Sequence, residues 1–204
     1  MPTKHCKICF KLIKFDSFYE IINNDSCLCR ECQNKLIPHF LKFKIAGANG
    51  TAIYKYDDNI KSILYQFKGC YDIELAPIFL NNFKNELNTL YKGYIMVPAP
   101  SYYDDDEERE FNHVIEMFKF LNLPIHHIIN KTSGYKQAQN KKRARGKIID
   151  HFSCESLDVI RNKKVLIVDD VMTTGSTLKA MMGLLLPGHP KTIKILVMAK
   201  RTTK

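Results

Sequence analysis

The segment that most restricts the fold of this chain runs from Val165 to Leu185. Val165, Leu166, Ile167 and Val168 are consecutive apolar residues, followed by the paired acids Asp169 and Asp170 and then by Val171-Met172-Thr173-Thr174-Gly175-Ser176-Thr177. Beyond them Leu178, Met181, Met182 and Leu185 fall at the three-and-four spacing of a helix with one buried face. This order predicts a buried strand, a tight loop, and a helix that begins near Ser176. A strand apolar on both faces is the mark of a parallel sheet covered by helices on both sides.

The rest of the chain fits that frame. Ala52–Tyr56 reads as a strand and Asp57-Asp58-Asn59 as a turn; Ile60, Ile63, Leu64 and Phe67 then give one face of a helix that Gly69 can close in a left-handed conformation. Glu74 to Leu90 repeats the helical spacing, and Tyr94–Val97 is a second buried strand, cut off by Pro98-Ala99-Pro100 ahead of a loop. Phe111 to Leu121 reads as a helix, and Ile125–Ile129 and Ile193–Met198 as strands. The expected class is α/β with a mainly parallel sheet, whose ligands gather at the carboxyl ends of the strands. A chain of 204 residues, 45% of them hydrophobic, can bury one main core and carry one small appendage that needs another stabiliser.

That appendage lies in residues 1–45, ahead of a main domain over 46–204. Cys6-x2-Cys9 and Cys29-x2-Cys32 form two knuckles with the spacing of a tetrahedral zinc site, which makes Cys6, Cys9, Cys29 and Cys32 the candidate ligands. Cys27 competes with Cys29 but lacks the two-residue gap to Cys32, and His5 is an alternative ligand. Redox-active pairs are the competing reading. Leu36, Ile37, Phe40 and Leu41 suggest a short helix closing the unit. A four-cysteine site is closed, so its role would be structural.

The formal net charge of +10 favours anionic partners. Lys131 to Lys147 holds seven basic residues and no acid, whereas Asp104-Asp105-Asp106-Glu107-Glu108 is an acidic run that reads as a solvated loop. No stretch of about 20 apolar residues is present to span a membrane, and Met-Pro-Thr-Lys-His-Cys lacks the apolar core of a signal peptide, so a cytoplasmic location is expected. The cysteine unit offers no helix with an obvious base-reading set. Nucleic-acid contact would therefore be electrostatic and salt-sensitive.

The loop after Val168 carries the chemistry. The first N–H groups of a helix starting near Ser176 have no helical partners and sit at the positive end of its dipole, so an anion fits there. Thr173, Thr174, Ser176 and Thr177 add hydroxyl donors, and Gly175 lets the backbone approach closely. Asp169 and Asp170 are acceptors suited to vicinal hydroxyls. The simpler alternative is a capped strand-to-helix turn, but one cap needs one hydroxyl residue. A Walker loop is excluded because no Lys follows the Gly. The order closely resembles the phosphoribosyl pyrophosphate signature of type I phosphoribosyltransferases. That resemblance implies that Asp169 and Asp170 hold the ribose 2- and 3-hydroxyls while Thr173, Thr174, Gly175, Ser176 and Thr177 wrap the 5-phosphate.

Further residues fall in the order of the ComF family, competence-associated phosphoribosyltransferase-like proteins with an N-terminal zinc finger. They are Tyr56, Lys68 and Gly69, then Val97-Pro98-Ala99-Pro100, Arg109-Glu110-Phe111-Asn112, Lys131-Thr132 with Gln137, and Phe152. The resemblance implies a type I phosphoribosyltransferase fold with structural zinc, and a Mg²⁺-dependent transfer of phosphoribosyl from phosphoribosyl pyrophosphate to an acceptor it does not name. Ala99, Pro100 and Ser101 would form the pyrophosphate-side loop, while Lys68, Arg109 and one or more of Lys131, Arg143 and Arg145 would face the pyrophosphate. Asp169, Asp170, Arg109 and Lys131 are thus the candidate catalytic residues. Glu110 replaces the family's Gly, and Lys147 stands where an Asn is expected before Phe152. The resemblance also suggests a part in DNA uptake during natural transformation, with single-stranded DNA, competence proteins or a second copy of the chain as partners. A non-catalytic adaptor that senses the same ligand is the alternative, because sensing and transfer need the same loop.

Overall fold

The computed structural model describes residues 4–13, 27–131 and 152–202. Arg143, Arg145, Gln137 and Lys147 lie outside the described residues, as does most of the basic segment.

Five strands form the main sheet: β1 (Leu41–Ile45), β2 (Ala48–Lys55), β3 (Tyr94–Pro98), β6 (Lys164–Met172) and β7 (Thr192–Lys200). Their order is β1-β2-β7-β6-β3, with β1 antiparallel to β2 and every other neighbour parallel. A separate antiparallel pair joins β4 (Ile129–Lys131) to β5 (Phe152–Cys154), and a short helix, α1 (Arg30–Gln33), lies in the cysteine unit. Alternation along the strands divides the core between two faces. Leu166, Val168, Leu196 and Met198 face α2 (Asp58–Gly69), α3 (Lys84–Leu90) and α5 (His113–Phe118), whereas Val165, Ile167, Ile195 and Val197 face α6 (Ser176–Leu185) and the β4–β5 pair. Both faces of β6 are therefore dry, as its apolar run predicts.

Helix α2 buries Ile60, Ile63, Leu64 and Phe67, and the Asp57 carboxylate caps it by accepting from the Ile60 N–H at 2.9 Å. Gly69 does not close it in a left-handed conformation; that geometry falls on Tyr71, at φ 61°. No helix forms over Leu36–Leu41. Phe40 is left-handed at φ 47°, and Leu41, Phe43 and Ile45 alternate with exposed Lys42 and Lys44, a period-two pattern that joins the sheet as β1. The helix expected over Glu74–Leu90 is broken. Ile73–Phe79 is a 3-10 run containing Pro77, which cannot donate an N–H, and only Lys84–Leu90 is α-helical. Ile125 makes one bridge to Met96 instead of starting a strand, and regular pairing begins at Ile129.

The acidic run is not a loop. It forms α4 (Tyr103–Arg109), and Arg109-Glu110-Phe111-Asn112 is the joint that links α4 to α5. Each residue of the joint has a distinct physical task. Arg109 ends α4, Glu110 turns the chain at φ 62°, Phe111 packs 5.4 Å from the Phe67 ring, and Asn112 caps α5 by accepting from the Ile115 N–H at 3.0 Å. A left-handed backbone costs a non-glycine residue about 1–2 kcal/mol, partly returned by the lower entropy of its unfolded chain. Glu110→Gly is accordingly expected to raise stability by about 0.5–1 kcal/mol in urea unfolding; a loss of stability would show that the exposed Glu110 side chain contributes something a turn does not require.

Among the described residues, no helix is long and apolar enough to cross a membrane.

Candidate functional site

The register sets where the loops emerge. Pro98 lies opposite Val168 and Lys55 opposite Lys200, so the ends of β2, β3, β6 and β7 share one carboxyl edge. A cleft of about 770 Å³ opens at that edge. Lys68, Ala99, Pro100, Ser101, Arg109, Lys131, Asp169, Asp170 and Thr177 all line it, together with Tyr56, Tyr65, Tyr102 and His113. Thr173, Thr174, Gly175 and Ser176 complete the loop between β6 and α6, beside Thr177.

In that loop Gly175 stands at φ 75°, and a Cβ added there would meet Ile45 Cδ1 at 2.8 Å. The left-handed conformation is what favours glycine, since the Ile45 methyl ends a flexible side chain that can give way. Thr174 Oγ1 and Ser176 Oγ lie 2.7 Å apart, while the Lys179 N–H closes the first helical bond onto the Gly175 carbonyl at 2.9 Å. Of the N–H groups ahead of it, that of Ser176 donates to Thr174 Oγ1 at 3.4 Å; first-turn N–H groups have no acceptor within a helix, which suits such a turn to an anion.

The two acids differ because successive residues of a strand face opposite sides. Asp170 continues the Leu166–Val168 face toward α2 and α5 and is 8% exposed, the one buried charged residue among those described. Its Oδ1 accepts the Val171 N–H at 2.6 Å, and its Oδ2 pairs with the Lys68 ammonium and lies 3.4 Å from His113 Nε2. Burial pushes its carboxyl up, but His113 and Lys68 outweigh that and hold it well below the usual carboxylate range. Asp169 continues the opposite face. Burial and the charge of Asp170 push its carboxyl well above the ordinary value. Lys131 approaches from β4, its ammonium 4.4 Å from the Tyr102 ring centre. Burial lowers its pKa, with the charge of Asp169 as the leading opposing influence.

Arg109 does not stand free at the cleft. Its Nε donates to the Lys68 carbonyl at 3.1 Å, and one terminal nitrogen reaches Asp106 Oδ1 and His113 Nδ1, each at 3.0 Å. The expectation that it faces a ligand directly meets a guanidinium already engaged by protein. Asp106, in the middle of the acidic run, turns inward and also accepts from Asn112 Nδ2 at 2.7 Å and from Ser101 Oγ. It thereby ties α4 to the Ala99–Ser101 turn. His113 is the site residue that sequence reasoning missed; the one available signal was its place four residues after Arg109.

The cysteine cluster forms as its spacing predicts. The sulfurs of Cys6, Cys9, Cys29 and Cys32 all lie within 4.8 Å of one another, and those of Cys9 and Cys29 are 3.6 Å apart. A tetrahedral ion with metal–sulfur bonds of about 2.3 Å sets sulfurs about 3.8 Å apart, so this donor set fits zinc. His5 and Cys27 are not members of the cluster. Thiols this close repel one another as anions. Burial and the neighbouring sulfurs push Cys32 up, whereas at Cys6 the effect of burial is outweighed by backbone hydrogen bonds from Cys29, Cys9 and Ile8, which bring it down to about 6. Lys11 and Glu31, 2.8 Å apart, join the two knuckles, and Lys7 pairs with Glu74 of the main domain.

The family model of the phosphoribosyl transferase domain matches residues 111–204. The chain is 27% identical over 153 residues to competence protein ComFC of Bacillus subtilis, a match covering 74% of this chain and 62% of that protein. It is 25% identical over 219 residues to competence protein ComFC of Streptococcus pneumoniae, covering 93% of this chain and 96% of that one. The chain thus spans less than two thirds of the Bacillus relative. Among solved structures, the hypoxanthine phosphoribosyltransferase of Staphylococcus aureus aligns with 65% of this chain and 69% of its own at 16% identity and a TM-score of 0.37. That of Trypanosoma cruzi aligns with 65% and 70% at 14% identity and a TM-score of 0.43. The domain match and the parallel sheet with its loop after β6 define a type I phosphoribosyltransferase fold. With a four-cysteine cluster ahead of that domain and ComFC proteins as its relatives, the chain is consistent with the ComF family.

Proposed function

We propose that the cleft binds phosphoribosyl pyrophosphate with Mg²⁺ and that the protein transfers the phosphoribosyl group to an acceptor. The observation that carries this reading is that the paired acids, Asp169 and Asp170, and Thr177 at the end of the Thr173–Thr177 loop line one cleft with Ala99–Ser101 and Lys131. The loop would take the 5-phosphate on helix N–H groups and hydroxyls. Asp169, whose environment disfavours its charged form, would meet the ribose hydroxyls, while Asp170 stays fixed by its own partners. Lys68 and Lys131 would offset the charge that builds on the departing pyrophosphate, and the surrounding Tyr56, Tyr65 and Tyr102 would exclude water. Bound Mg²⁺ supplies charge screening for the pyrophosphate. Displacement at the anomeric carbon by an incoming nucleophile needs positioning more than a protein base.

The test is pyrophosphate release on incubation with phosphoribosyl pyrophosphate and Mg²⁺, followed by Asp169→Asn alone, because Asp170 also holds the fold. Release that falls at least about 100-fold in this variant, as expected for loss of an interaction of about 3 kcal/mol in the transition state, supports the reading. Unchanged release overturns it. Ligand binding without turnover against a broad acceptor screen would favour the sensing adaptor. The four-cysteine unit ahead of β1 is proposed as structural zinc in a protein of the cytoplasm, where thiols stay reduced. A part in competence is proposed from the names of the ComFC relatives, and DNA uptake with single-stranded DNA, competence proteins or a second copy as partners is proposed from the family resemblance.

A further inference from the structure

We propose that His113 is a positioning residue for Asp170, held by Arg109 in the tautomer that carries its ring proton on Nε2; for its effect on ligand the inference rests on the reading of the cleft given above. The geometry starts from donor and acceptor types. A guanidinium only donates. Arg109 stands 3.0 Å from His113 Nδ1, so that nitrogen must present its lone pair. The ring proton then sits on Nε2, the nitrogen that faces Asp170 Oδ2 at 3.4 Å. Arg109 is itself fixed by the Lys68 carbonyl and Asp106, with its side chain 10% exposed, and His113 is 12% exposed. The order Asp106, Arg109, His113, Asp170 is therefore a continuous chain of oriented polar contacts that runs from α4 to the end of β6.

This chain supplies what Lys68 cannot. An ammonium on a long stem offsets charge from many directions, whereas an imidazole locked at one nitrogen defines a direction for the other. With the Val171 N–H on Oδ1, His113 fixes the plane of the Asp170 carboxylate, and with it the backbone from which Asp169 projects. Arg109 thus acts on a ligand through His113 instead of touching it. The Glu110 turn sets the pair, since Arg109 ends one helix and His113 begins the next.

The first measurement needs no ligand. Nitrogen-15 NMR of the histidine rings, assigned with His113→Gln, is expected to show His113 protonated on Nε2, and Arg109→Met should relax that preference. A proton on Nδ1 in the wild-type chain overturns the inference. The second is calorimetric titration with phosphoribosyl pyrophosphate and Mg²⁺. His113→Gln, whose amide can accept from Arg109 and donate to Asp170, should bind within about 3-fold of wild type, while His113→Leu should weaken binding about 10- to 100-fold, the effect of one hydrogen bond to a charged group. Combining Arg109→Met with His113→Leu should cost little beyond the worse single change, because the two act in series. Additive losses would make Arg109 a direct ligand contact and overturn the inference, as would wild-type affinity in His113→Leu. Thermal melts of each variant separate unfolding from lost positioning. If the wild-type chain takes no phosphoribosyl pyrophosphate, the reading of the cleft fails, while the NMR result still decides the order Arg109, His113, Asp170.

Discussion

Stripping the metal from Cys6, Cys9, Cys29 and Cys32 is expected to unfold the N-terminal unit and to lower the melting temperature of the whole chain. Structural zinc contributes on the order of 10 kcal/mol to the folding of such units. Among the described residues of the unit, the buried apolar side chains are Ile13, Leu28 and Leu36 beside Cys6 and Cys32. These same residues belong to one cluster with Ile53, Tyr54, Phe79 and Leu80 of the main domain, so their release opens that core to water. Metal analysis should find one zinc per chain. Chelator, or Cys32→Ser, should then abolish metal binding and shift the thermal transition downward. A melt indifferent to both would remove the structural role of the cluster.

Asp170→Asn should destabilise the fold, and Asp169→Asn should not. Asp170 is the counter-charge for Lys68 and the partner of His113 on the α2 and α5 side of the sheet. Removing it from a fully buried pair would cost about 3–5 kcal/mol; the Lys68 side chain is 39% exposed, so solvent screening reduces the expectation to about 1–3 kcal/mol in urea unfolding. Lys68→Met should recover part of that loss in the double variant. The dependence on pH separates the acids further. The folded-state pKa of Asp170 is depressed, so its contribution is complete above the unfolded value of about 3.9 and is lost as pH falls through the folded value. Asp169 has the opposite sign. Its folded-state pKa is raised, so stability declines as pH climbs from the unfolded value toward the folded one, and Asp169→Asn relieves that decline. Equal losses in the two single variants would show that the strand does not divide their environments.

The parts of this protein that were legible in its sequence are those whose cause is local. Val165–Val168 followed by two acids and Thr-Thr-Gly specifies strand, loop and helix within 13 residues, and each cysteine knuckle needs only its own two-residue gap. Helix α2 follows from four apolar residues at helical spacing. What escaped has causes elsewhere in the chain. Leu41–Ile45 becomes a strand because β2 is available to pair with it; the broken helix over Glu74–Leu90 is the exception, since Pro77 is a local cause that the apolar spacing obscured. Nothing near His113 reveals that it meets Asp170. Likewise, no pattern within Asp104–Glu108 shows that Asp105 lines the cleft and that Asp106 turns inward; the latter depends on Ser101, Arg109 and Asn112 closing around it.

The strand order β1-β2-β7-β6-β3 has a consequence for synthesis on the ribosome. The β1–β2 hairpin is made long before its parallel neighbour in the sheet, β7, at Thr192–Lys200. At about 5–20 residues per second, the hairpin waits roughly 7–30 s before that strand exists. Over this interval the edge of β2 stays unpaired, and the Ile45 methyl that abuts Gly175 has nothing to pack on. The loop after β6 therefore acquires its final shape only once β7 has been made. Products that stop short of β7 would carry an open sheet edge along β2.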